Sequence, residues 1–220
     1  MNPGQPEQPG YDALAGLYAQ TFPDPFQTAL ERRAVDAFAD MVIEAADSAA
    51  AVEGTAAVVD VGCGTGETAA YLACRGLVVR GVEPSAGMLA IARANHPHLN
   101  LTPGDAQLED VDLSSVRGII ARHSLIRVPP PEVRTVLADW HARLPAGAVV
   151  LLSAQSSDEA GVHEFDHLVA QAWRWHPDAL AESVSGAGFD KVWRTVSRID
   201  ADHRFPEVHL AARVSSPHPA

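Results

Sequence analysis

The feature that most constrains the fold is the segment of residues 58–67, which reads VVDVGCGTGE. Its first part is an apolar run without polar alternation, the pattern of a β-strand that is buried on both faces of a sheet. A loop follows with glycine at Gly62, Gly64 and Gly66, and residues 67–75 return to a helical composition. Glycine in such a loop allows positive φ and lets a ligand approach the backbone. The segment predicts a strand, a ligand-binding loop and a helix of an open α/β sheet; a tight turn without a ligand is the alternative.

The rest of the chain repeats this alternation of strands and helices. Strands are expected at 57–61, 78–82, 100–102, 118–121 and 148–152, with helices at 67–75, 85–95 and 131–144. Strands separated by helices of this length are typical of βαβ units and a mostly parallel sheet. Near the end, a helix over 177–187 precedes strands at 190–198 and 208–214. Their connection is too short for a crossover helix, so we expect these two strands to pair antiparallel.

The chain before the first strand has a different character. Residues 1–10 contain three prolines and two glycines, which predicts a flexible tail. Residues 11–51 are helical in period, with Tyr11 and Tyr18 on one face. No repeat or low-complexity linker divides the chain, so we expect a single domain over 11–220, with a helical segment at 11–51 and a sheet core at 55–215.

The composition excludes several classes of function. The chain of 220 residues has 16 Lys+Arg against 28 Asp+Glu, a formal net charge of −12, which argues against nucleic-acid partners and against an anionic membrane surface. Two cysteines, Cys63 and Cys74, are too few for a disulfide framework or a four-thiolate zinc site. No secretory signal and no spanning run is present in the sequence, and we expect a cytoplasmic protein.

The glycine loop does not fit the two best-known phosphate-binding patterns. A dinucleotide fingerprint would place its third glycine at position 67, which is Glu67, and a P-loop would need a lysine that the segment lacks. What remains is D-x-G-x-G-x-G from Asp60 to Gly66. Carboxylates at Asp60 and Glu67 disfavour a pyrophosphate, but they tolerate a ligand with an ammonium or sulfonium charge.

Two further acids follow the next two predicted strands. Glu83 lies 21 positions after Gly62, where a carboxylate can accept hydrogen bonds from both hydroxyls of a ribose. Asp105 follows the third strand within the sequence Gly-Asp-Ala. Because parallel strands end at one edge of the sheet, we expect Asp60, Glu83 and Asp105 to line that edge. A merely solvated Glu83 is the alternative.

With these motifs in view, the chain resembles the class I S-adenosylmethionine-dependent methyltransferases, and within them the small-molecule enzymes of a type common in actinobacteria. The similarity extends from Tyr11 to Arg213 and rests on VVDVGCGTGETAAYLA, VRGVEPSAGMLAIAR, GDA, RHSLIRVPPPEV and GAGF. The resemblance implies a Rossmann-like, doubly wound, seven-stranded α/β sheet. That sheet would be mostly parallel with a C-terminal antiparallel hairpin, under an N-terminal helical lid formed by residues 11–51.

The resemblance also implies S-adenosylmethionine as the cofactor and assigns its contacts. Asp60 and the loop of Gly62, Cys63 and Gly64 would hold the methionine part, and Glu83 the ribose hydroxyls, with Pro84 and Met88 nearby. Asp105 and the Ala106 amide would read the adenine. Arg122 and His123 would close over the methionine amine. The hydroxyls of Tyr11 and Tyr18 would reach the cofactor carboxylate; for these two tyrosines, core packing is the alternative.

This sequence departs from the family at the segment after the fourth strand. Relatives read close to WYSLIHLPP there, whereas this chain reads RHSLIRVPP, so that Arg122-His123 replaces an aromatic pair and Arg127 replaces a histidine. The [ND]-P-P-[YF] tetrad of enzymes that methylate amino groups of nucleic acids is also absent from the sequence. The acceptor, or its activation, is therefore expected to differ from that of relatives.

Three histidines are candidates for the base that removes a proton from the acceptor. His123 is the first, because it follows the fourth strand and imidazole titrates near neutrality. His163 and His167 form an H-E-x-x-H match, but the chain lacks a third zinc ligand downstream, so we expect no metal and treat both as a second base or a substrate ligand. Trp173 and Trp175 either wall an aromatic acceptor or pack the sheet edge. Cys63, beside a helix N-terminus, should have a lowered pKa but serve only for packing.

The sequence thus predicts methyl transfer from S-adenosylmethionine to an O, N or C atom of a small organic acceptor, expected to be a specialised metabolite. One alternative is a protein of the same fold that binds the cofactor without transferring methyl, or catalyses another reaction. A nicotinamide oxidoreductase is a third candidate, disfavoured by the missing fingerprint glycine. No nucleic-acid or membrane partner is expected, and a monomer and a homodimer both stay open.

Overall fold

A seven-stranded sheet in the order β3-β2-β1-β4-β5-β9-β8 forms the centre of the protein in a computed structural model, which describes residues 10–48, 56–198 and 204–215. The strands are β1 (Ala57–Val61), β2 (Val78–Glu83), β3 (Asn100–Pro103), β4 (Val116–Arg122), β5 (Val149–Gln155), β6 (Val162–Phe165), β7 (Ala172–Trp175), β8 (Phe189–Val196) and β9 (Glu207–Val214). The helices are α1 (Gly10–Thr21), α2 (Ala29–Ser48), α3 (Glu67–Cys74), α4 (Ala86–Asn95), α5 (Pro130–Arg143) and α6 (Pro177–Gly186).

The strand directions confirm the predicted fold class. β1 pairs in parallel with β2 and β4, as do β2 with β3 and β4 with β5, whereas β9 is antiparallel to both β5 and β8. The first five strands therefore end at one edge, and β9 begins at that same edge, where Gln155 faces Glu207. A short 3₁₀ turn, Leu125–Arg127, follows β4 at this edge.

Helices cover both faces of the sheet because its central strands are buried on both sides. On one face, α2 packs Val35, Phe38 and Val42 against the sheet, and a Cβ at Gly118 of β4 would lie 2.6 Å from a Val42 methyl carbon. Glycine at this position therefore permits the close approach of α2. On the other face, α5 buries a stripe that ends in Trp140, within the larger of the hydrophobic clusters.

One element was not expected from the sequence. β6 and β7 form a separate two-stranded antiparallel sheet between β5 and α6, in which Val162 pairs with Trp175 and Phe165 with Ala172. These strands have four residues each, and the connecting residues 166–171 lie near the 3₁₀ turn after β4. The sequence segment that carries His163 and His167 therefore lies on a strand and a loop.

Other outcomes concern the ends of the chain and the domain boundaries. Residues 1–9 of the predicted tail lie outside the described residues, as do residues 49–51 of the helical segment and residue 55 of the sheet core; Gly10 begins α1. The single-domain organisation stays a prediction. Within the described parts of the chain, no helix has both the length and the apolar character that crossing a membrane requires.

Candidate functional site

A cavity of about 690 Å³ lies at the edge where the parallel strands end. Every residue that the sequence assigned to cofactor binding lines it, and so do two of the three candidate bases. The lining includes Tyr11, Tyr18, Asp60, Gly62, Cys63, Gly64, Glu83, Pro84, Met88, Asp105, Ala106, Arg122, His123 and His167. His163 does not belong to this lining.

The loop after β1 holds its shape through its glycines and through β2. Gly62 has φ +69°, and a Cβ there would lie 2.4 Å from the Ser124 Cβ, so only glycine fits. Its N–H and that of Cys63 donate to the Val82 carbonyl oxygen at 2.8 and 3.1 Å. Gly64 has φ +56°, but a Cβ there would meet no atom within 4 Å. The loop therefore leaves open space beside Gly64, as a cradle for a ligand requires.

Asp60 is a buried acid of the site whose pKa is strongly raised. It lies in β1 with 2% of its surface exposed, and its Oδ2 is buried without a hydrogen-bond partner among the described residues. Burial raises the pKa of this carboxyl from 3.8 to about 7; Arg122 opposes the rise and the charge of Glu83 adds to it. A buried carboxylate without a partner costs free energy that a cationic ligand group would recover.

Glu83 is a buried acid whose two oxygens already have backbone partners. Its Oε2 accepts from the Gly64 N–H at 2.8 Å and its Oε1 from the Ser85 N–H at 2.9 Å. Burial raises the pKa of Glu83, while these two hydrogen bonds oppose the rise. A carboxylate has about four lone-pair positions, so a diol can still bind to a side chain that these bonds hold in place.

The residues expected around an adenine frame the same cavity. Asp105 is exposed, and its Oδ1 accepts from the Gln107 N–H at 2.9 Å, which fixes the turn after β3. The carbonyl of Ala106 accepts from the Trp140 indole N–H at 2.8 Å, so α5 positions this backbone. Met88 is buried and lines the cavity from α4.

The expected lowering of the Cys63 pKa is wrong. Burial raises the pKa of the thiol, and the nearby charges of Asp60 and Glu83 raise it further. The reason is that Cys63 is 8% exposed between two carboxylates, which outweighs any effect of the helix that follows. The Cys63 Sγ would lie 2.8 Å from a Cβ at Gly81, so the side chain fills space against β2.

Hydrogen bonds hold helix α1 over the cavity at two places. Asp12 Oδ1 accepts from the Ser85 hydroxyl at 2.6 Å and from the Gly87 N–H at 2.8 Å, which ties α1 to the start of α4. At its N-terminus, the Gly10 N–H donates to the Val169 carbonyl at 3.0 Å, in the β6–β7 loop. These contacts make α1 a cover that reaches from the α4 side of the cavity to the β6–β7 loop.

Arg127, at the end of the 3₁₀ turn after β4, also contacts helix α1. Its guanidinium donates to the Tyr11 hydroxyl and to the Ala170 carbonyl, the latter at 2.7 Å, and contacts the His167 ring. It lies 5.1 Å from the centre of the Tyr11 ring. Burial raises the pKa of Tyr18, which lies next to Tyr11 in the lining. The arginine that replaces the histidine of relatives thus connects α1, the 3₁₀ turn and the β6–β7 loop.

Arg122 forms a buried ion pair that the sequence did not reveal. Its Nη2 lies 2.9 Å from Glu31 Oε2, with the two side chains 12% and 3% exposed. Its Nη1 donates to the Pro25 carbonyl at 2.7 Å and to the Thr68 hydroxyl at 2.9 Å. Arg122 therefore joins α2 and the loop before it to the start of α3, and its charge faces Asp60 from a compensated position.

His123 occupies a strained backbone position at the end of β4. Its φ is +52°, which costs about 1 to 3 kcal/mol for a residue other than glycine. Burial lowers the pKa of the imidazole from 6.5 to about 3, and the charge of Arg122 lowers it further. The expectation that His123 titrates near neutrality is therefore wrong, because the ring is largely shielded from water next to a guanidinium; it is a neutral imidazole at pH 7.

A polar cluster surrounds His123 at the junction of β4, β5 and β9. Its Nε2 lies 3.7 Å from Glu207 Oε1, and Glu207 Oε2 lies 4.0 Å from His209 Nε2. His209 is buried, its Nδ1 is 2.8 Å from the Ser153 hydroxyl, and burial lowers its pKa to about 4. Gln155 and Glu207 line the cavity beside His123.

The H-E-x-x-H match does not form a metal-binding pair. His163 lies in β6 and its Nε2 is 2.9 Å from the Ala160 carbonyl, whereas His167 lies in the following loop against Arg127. The zinc motif needs a helix to bring both rings to one ion. Trp173 and Trp175 lie in β7 outside the cavity lining, with Trp175 buried in the main core.

Several cavity residues were missed from the sequence. Thr28 and Glu31 have the spacing of a capping box, and Glu31 does accept from the Gln27 N–H at 2.8 Å, but no pattern predicts its pairing with Arg122. Glu207 was detectable in principle, because an antiparallel strand begins where its parallel neighbour ends. Phe165 and Phe205, whose ring centres are 5.3 Å apart, also belong to the lining; Phe165 ends β6 of the unexpected hairpin, and Phe205 lies just before β9.

Comparisons with known proteins agree with this geometry. A family model described as a methyltransferase domain matches residues 58–147. The trans-aconitate 2-methyltransferase of Deinococcus radiodurans is 34% identical over 108 residues, which are 48% of this chain and 40% of that enzyme. The similarity to this curated relative therefore spans less than half of its length.

Two solved structures match over almost the whole chain. The 1,6-didemethyltoxoflavin-N1-methyltransferase of Burkholderia thailandensis has a TM-score of 0.64 at 18% identity and covers 94% of this chain and 89% of its own. The cyclase SpnF has a TM-score of 0.69 at 18% identity and covers 96% of this chain and 100% of its own. At this level of identity the likeness establishes the fold.

Proposed function

We propose that the chain is a class I S-adenosylmethionine-dependent methyltransferase, and that it transfers the methyl group of S-adenosylmethionine to an O, N or C atom of a small organic acceptor, of the kind made in specialised metabolism. The observation that carries the proposal is the buried Asp60 Oδ2, which has no partner among the described residues and faces a glycine loop with room for a ligand.

The residues present fit this cofactor. The methionine part carries an ammonium and the reactive sulfur a positive charge, and both are favoured beside Asp60 and Glu83. The space beside Gly64 accommodates a ligand against the backbone, and Glu83 retains lone pairs for a ribose diol. Asp105, Ala106 and Met88 line the far end, where an adenine would lie.

When bound, the cofactor supplies a methyl group that its sulfonium already activates, so the protein contributes alignment and a dry site. Holding two reactants near attack distance supplies roughly 7–11 kcal/mol of a barrier. The α1 cover, through Asp12, Tyr11 and Arg127, limits the access of water. His123, as a neutral imidazole, holds a lone pair that can accept a hydrogen bond from the acceptor.

A second candidate function is favoured by a particular pair of observations. The pKa of His123, about 3, is low for a general base, and the matched cyclase shows that this fold also occurs in a protein whose name describes no methyl transfer. In this second case the chain would bind the cofactor and catalyse another reaction on its acceptor. We rank it below methyl transfer.

Calorimetry and a transfer assay test both candidates. We expect the protein to bind S-adenosylmethionine and S-adenosylhomocysteine, and Asp60→Asn to weaken binding, while Asp110→Asn, an exposed acid outside the cavity, serves as the matched control. Label from methyl-labelled cofactor should then appear in pools of small amines, phenols or carboxylic acids. Binding without label in any pool would favour the second candidate, and no binding by the wild-type protein would refute both.

A further inference from the structure

The cavity holds two hydrogen-bond acceptors side by side on the side away from the predicted adenine site. His123 follows β4 and Glu207 begins β9, and His123 Nε2 lies 3.7 Å from Glu207 Oε1. We propose that this pair binds the methyl acceptor as an amine, with the amine nitrogen between the two side chains. The inference rests on the proposed methyl transfer and names the acceptor's chemical class.

The spacing of the pair suits a nitrogen that carries more than one hydrogen. A distance of 3.7 Å is too long for a direct hydrogen bond, but a nitrogen atom can lie about 2.9 Å from both atoms at once. A protonated or neutral amine offers two N–H groups to these acceptors, whereas a phenol or an alcohol offers one O–H.

The state of the imidazole supports the same reading. His123 Nδ1 and Gln155 Oε1 are both buried without a hydrogen-bond partner in the described chain, and Gln155 lies close enough to affect the ring. We assign the ring proton to Nδ1, so that the lone pair is on Nε2, the nitrogen that lies 3.7 Å from Glu207 Oε1.

The charges of the cavity also favour a cation. Eight carboxylates and three arginines belong to its lining. Arg122 lies 2.9 Å from Glu31, and Arg204 lies 2.7 Å from Asp166, so both guanidinium groups are already compensated. Arg127 is engaged with the α1 cover. An anionic acceptor would thus meet a surplus of carboxylates, and an ammonium would meet the field that attracts it.

Methyl transfer to an amine bound by this pair requires a free lone pair on the amine nitrogen. The bound ammonium loses one proton to solvent, and its lone pair is then free on nitrogen. That pair forms the new N–C bond, while the electron pair of the broken C–S bond stays on sulfur and S-adenosylhomocysteine leaves. The positive charge thereby moves to the methylated nitrogen, whose N–H groups donate to His123 Nε2 and to Glu207 Oε1, and the Glu207 carboxylate stabilises this charge until the product leaves.

Binding of matched probes to the protein loaded with S-adenosylhomocysteine tests the inference without turnover. Benzylamine, benzyl alcohol and benzoate share a ring and differ in the group presented. We expect calorimetry to detect benzylamine and to find the other two at least about tenfold weaker. In protein with ¹⁵N-labelled histidine, benzylamine should shift the His123 ring signals, which His123→Gln assigns by their disappearance.

Glu207→Gln removes the charge with little change in shape. We expect it to weaken benzylamine binding about tenfold or more, with the affinity for S-adenosylhomocysteine unchanged. Glu109→Gln, at an exposed position outside the cavity lining, should leave both affinities as in the wild type. Thermal unfolding of each variant confirms that it is folded.

Three results would overturn the inference: benzoate binding as tightly as benzylamine, no binding of benzylamine, or unchanged benzylamine binding in Glu207→Gln. A failure of the proposed function is a separate outcome, because it shows as a loss of S-adenosylhomocysteine binding in the wild-type protein before any probe is added.

Discussion

Replacing Asp60 by asparagine should stabilise the protein without ligand at neutral and higher pH and weaken cofactor binding. The carboxyl is buried, its Oδ2 has no partner in the described residues, and its pKa is raised to about 7. Asparagine keeps the shape and removes the charge. The Asp60 carboxylate, which a cationic ligand needs as its partner, therefore lowers the free energy of unfolding when no ligand is bound.

The sign and size of the effect follow from the pKa values. The folded protein retains the Asp60 proton up to about pH 7, whereas the unfolded chain loses it near pH 3.8. Between these values unfolding releases a proton, so the free energy of unfolding falls as the pH rises and levels off above about pH 7. At 1.36 kcal/mol per pKa unit, this amounts to about 2 to 3 kcal/mol between pH 5 and pH 8. Because asparagine does not titrate, the free energy of unfolding of Asp60→Asn should not fall in this way.

Urea unfolding of both proteins over pH 5 to 8 measures the difference. The advantage of Asp60→Asn should grow with pH, while the other titrating groups, present in both proteins, cancel. Asp110→Asn is the control and should follow the wild type. Binding of S-adenosylhomocysteine to Asp60→Asn should be roughly tenfold to a hundredfold weaker, as expected for one lost contact to a charged group. Parallel pH profiles of wild type and Asp60→Asn would refute the reasoning.

Three further predictions concern packing and reactivity around the same cavity. Gly62→Ala should lower the free energy of unfolding by more than about 1 kcal/mol, because φ is +69° and the new Cβ would lie 2.4 Å from a neighbouring carbon; urea titration checks it, and an unchanged midpoint contradicts it. Glu31→Gln should cost about 3 to 5 kcal/mol by leaving Arg122 buried without its partner, and a double variant with Arg122→Met should recover part of this loss. A thiol reagent should modify the exposed Cys74 in the native protein and spare Cys63 until urea is added; two fast-reacting thiols would contradict the burial of Cys63.

The sheet and half of the cavity were predictable because they depend on local patterns. The apolar run before Gly62 must be a strand buried on both faces, and the acids at Asp60, Glu83 and Asp105 lie at or just after the ends of strands that run in the same direction. Parallel direction alone brings the ends of such strands together. The lining of the cofactor half could therefore be named residue by residue.

The other half of the cavity depends on contacts between distant parts of the chain, which no local pattern records. The hairpin of β6 and β7 has four residues in each strand, and its sequence HEFDH also matched a helical zinc motif. The raised pKa of Cys63 and the lowered pKa of His123 arise from neighbours that only the fold supplies. Titration behaviour follows the surroundings of a group, and a residue type by itself predicts only its value in water.

The two halves differ in how they hold charge, and this difference has a consequence for the reaction. In the cofactor half, Asp60 and Glu83 are buried acids with raised pKa values, so a cation bound there relieves an electrostatic cost of the fold. In the acceptor half, the arginines are already paired, and the cluster around Glu207 contains imidazoles that are neutral at pH 7. A positive charge that develops on the acceptor nitrogen therefore lies next to a carboxylate. The bound sulfonium disfavours a second positive charge in the cavity, and methyl transfer removes this conflict because the charge moves from sulfur to the acceptor nitrogen.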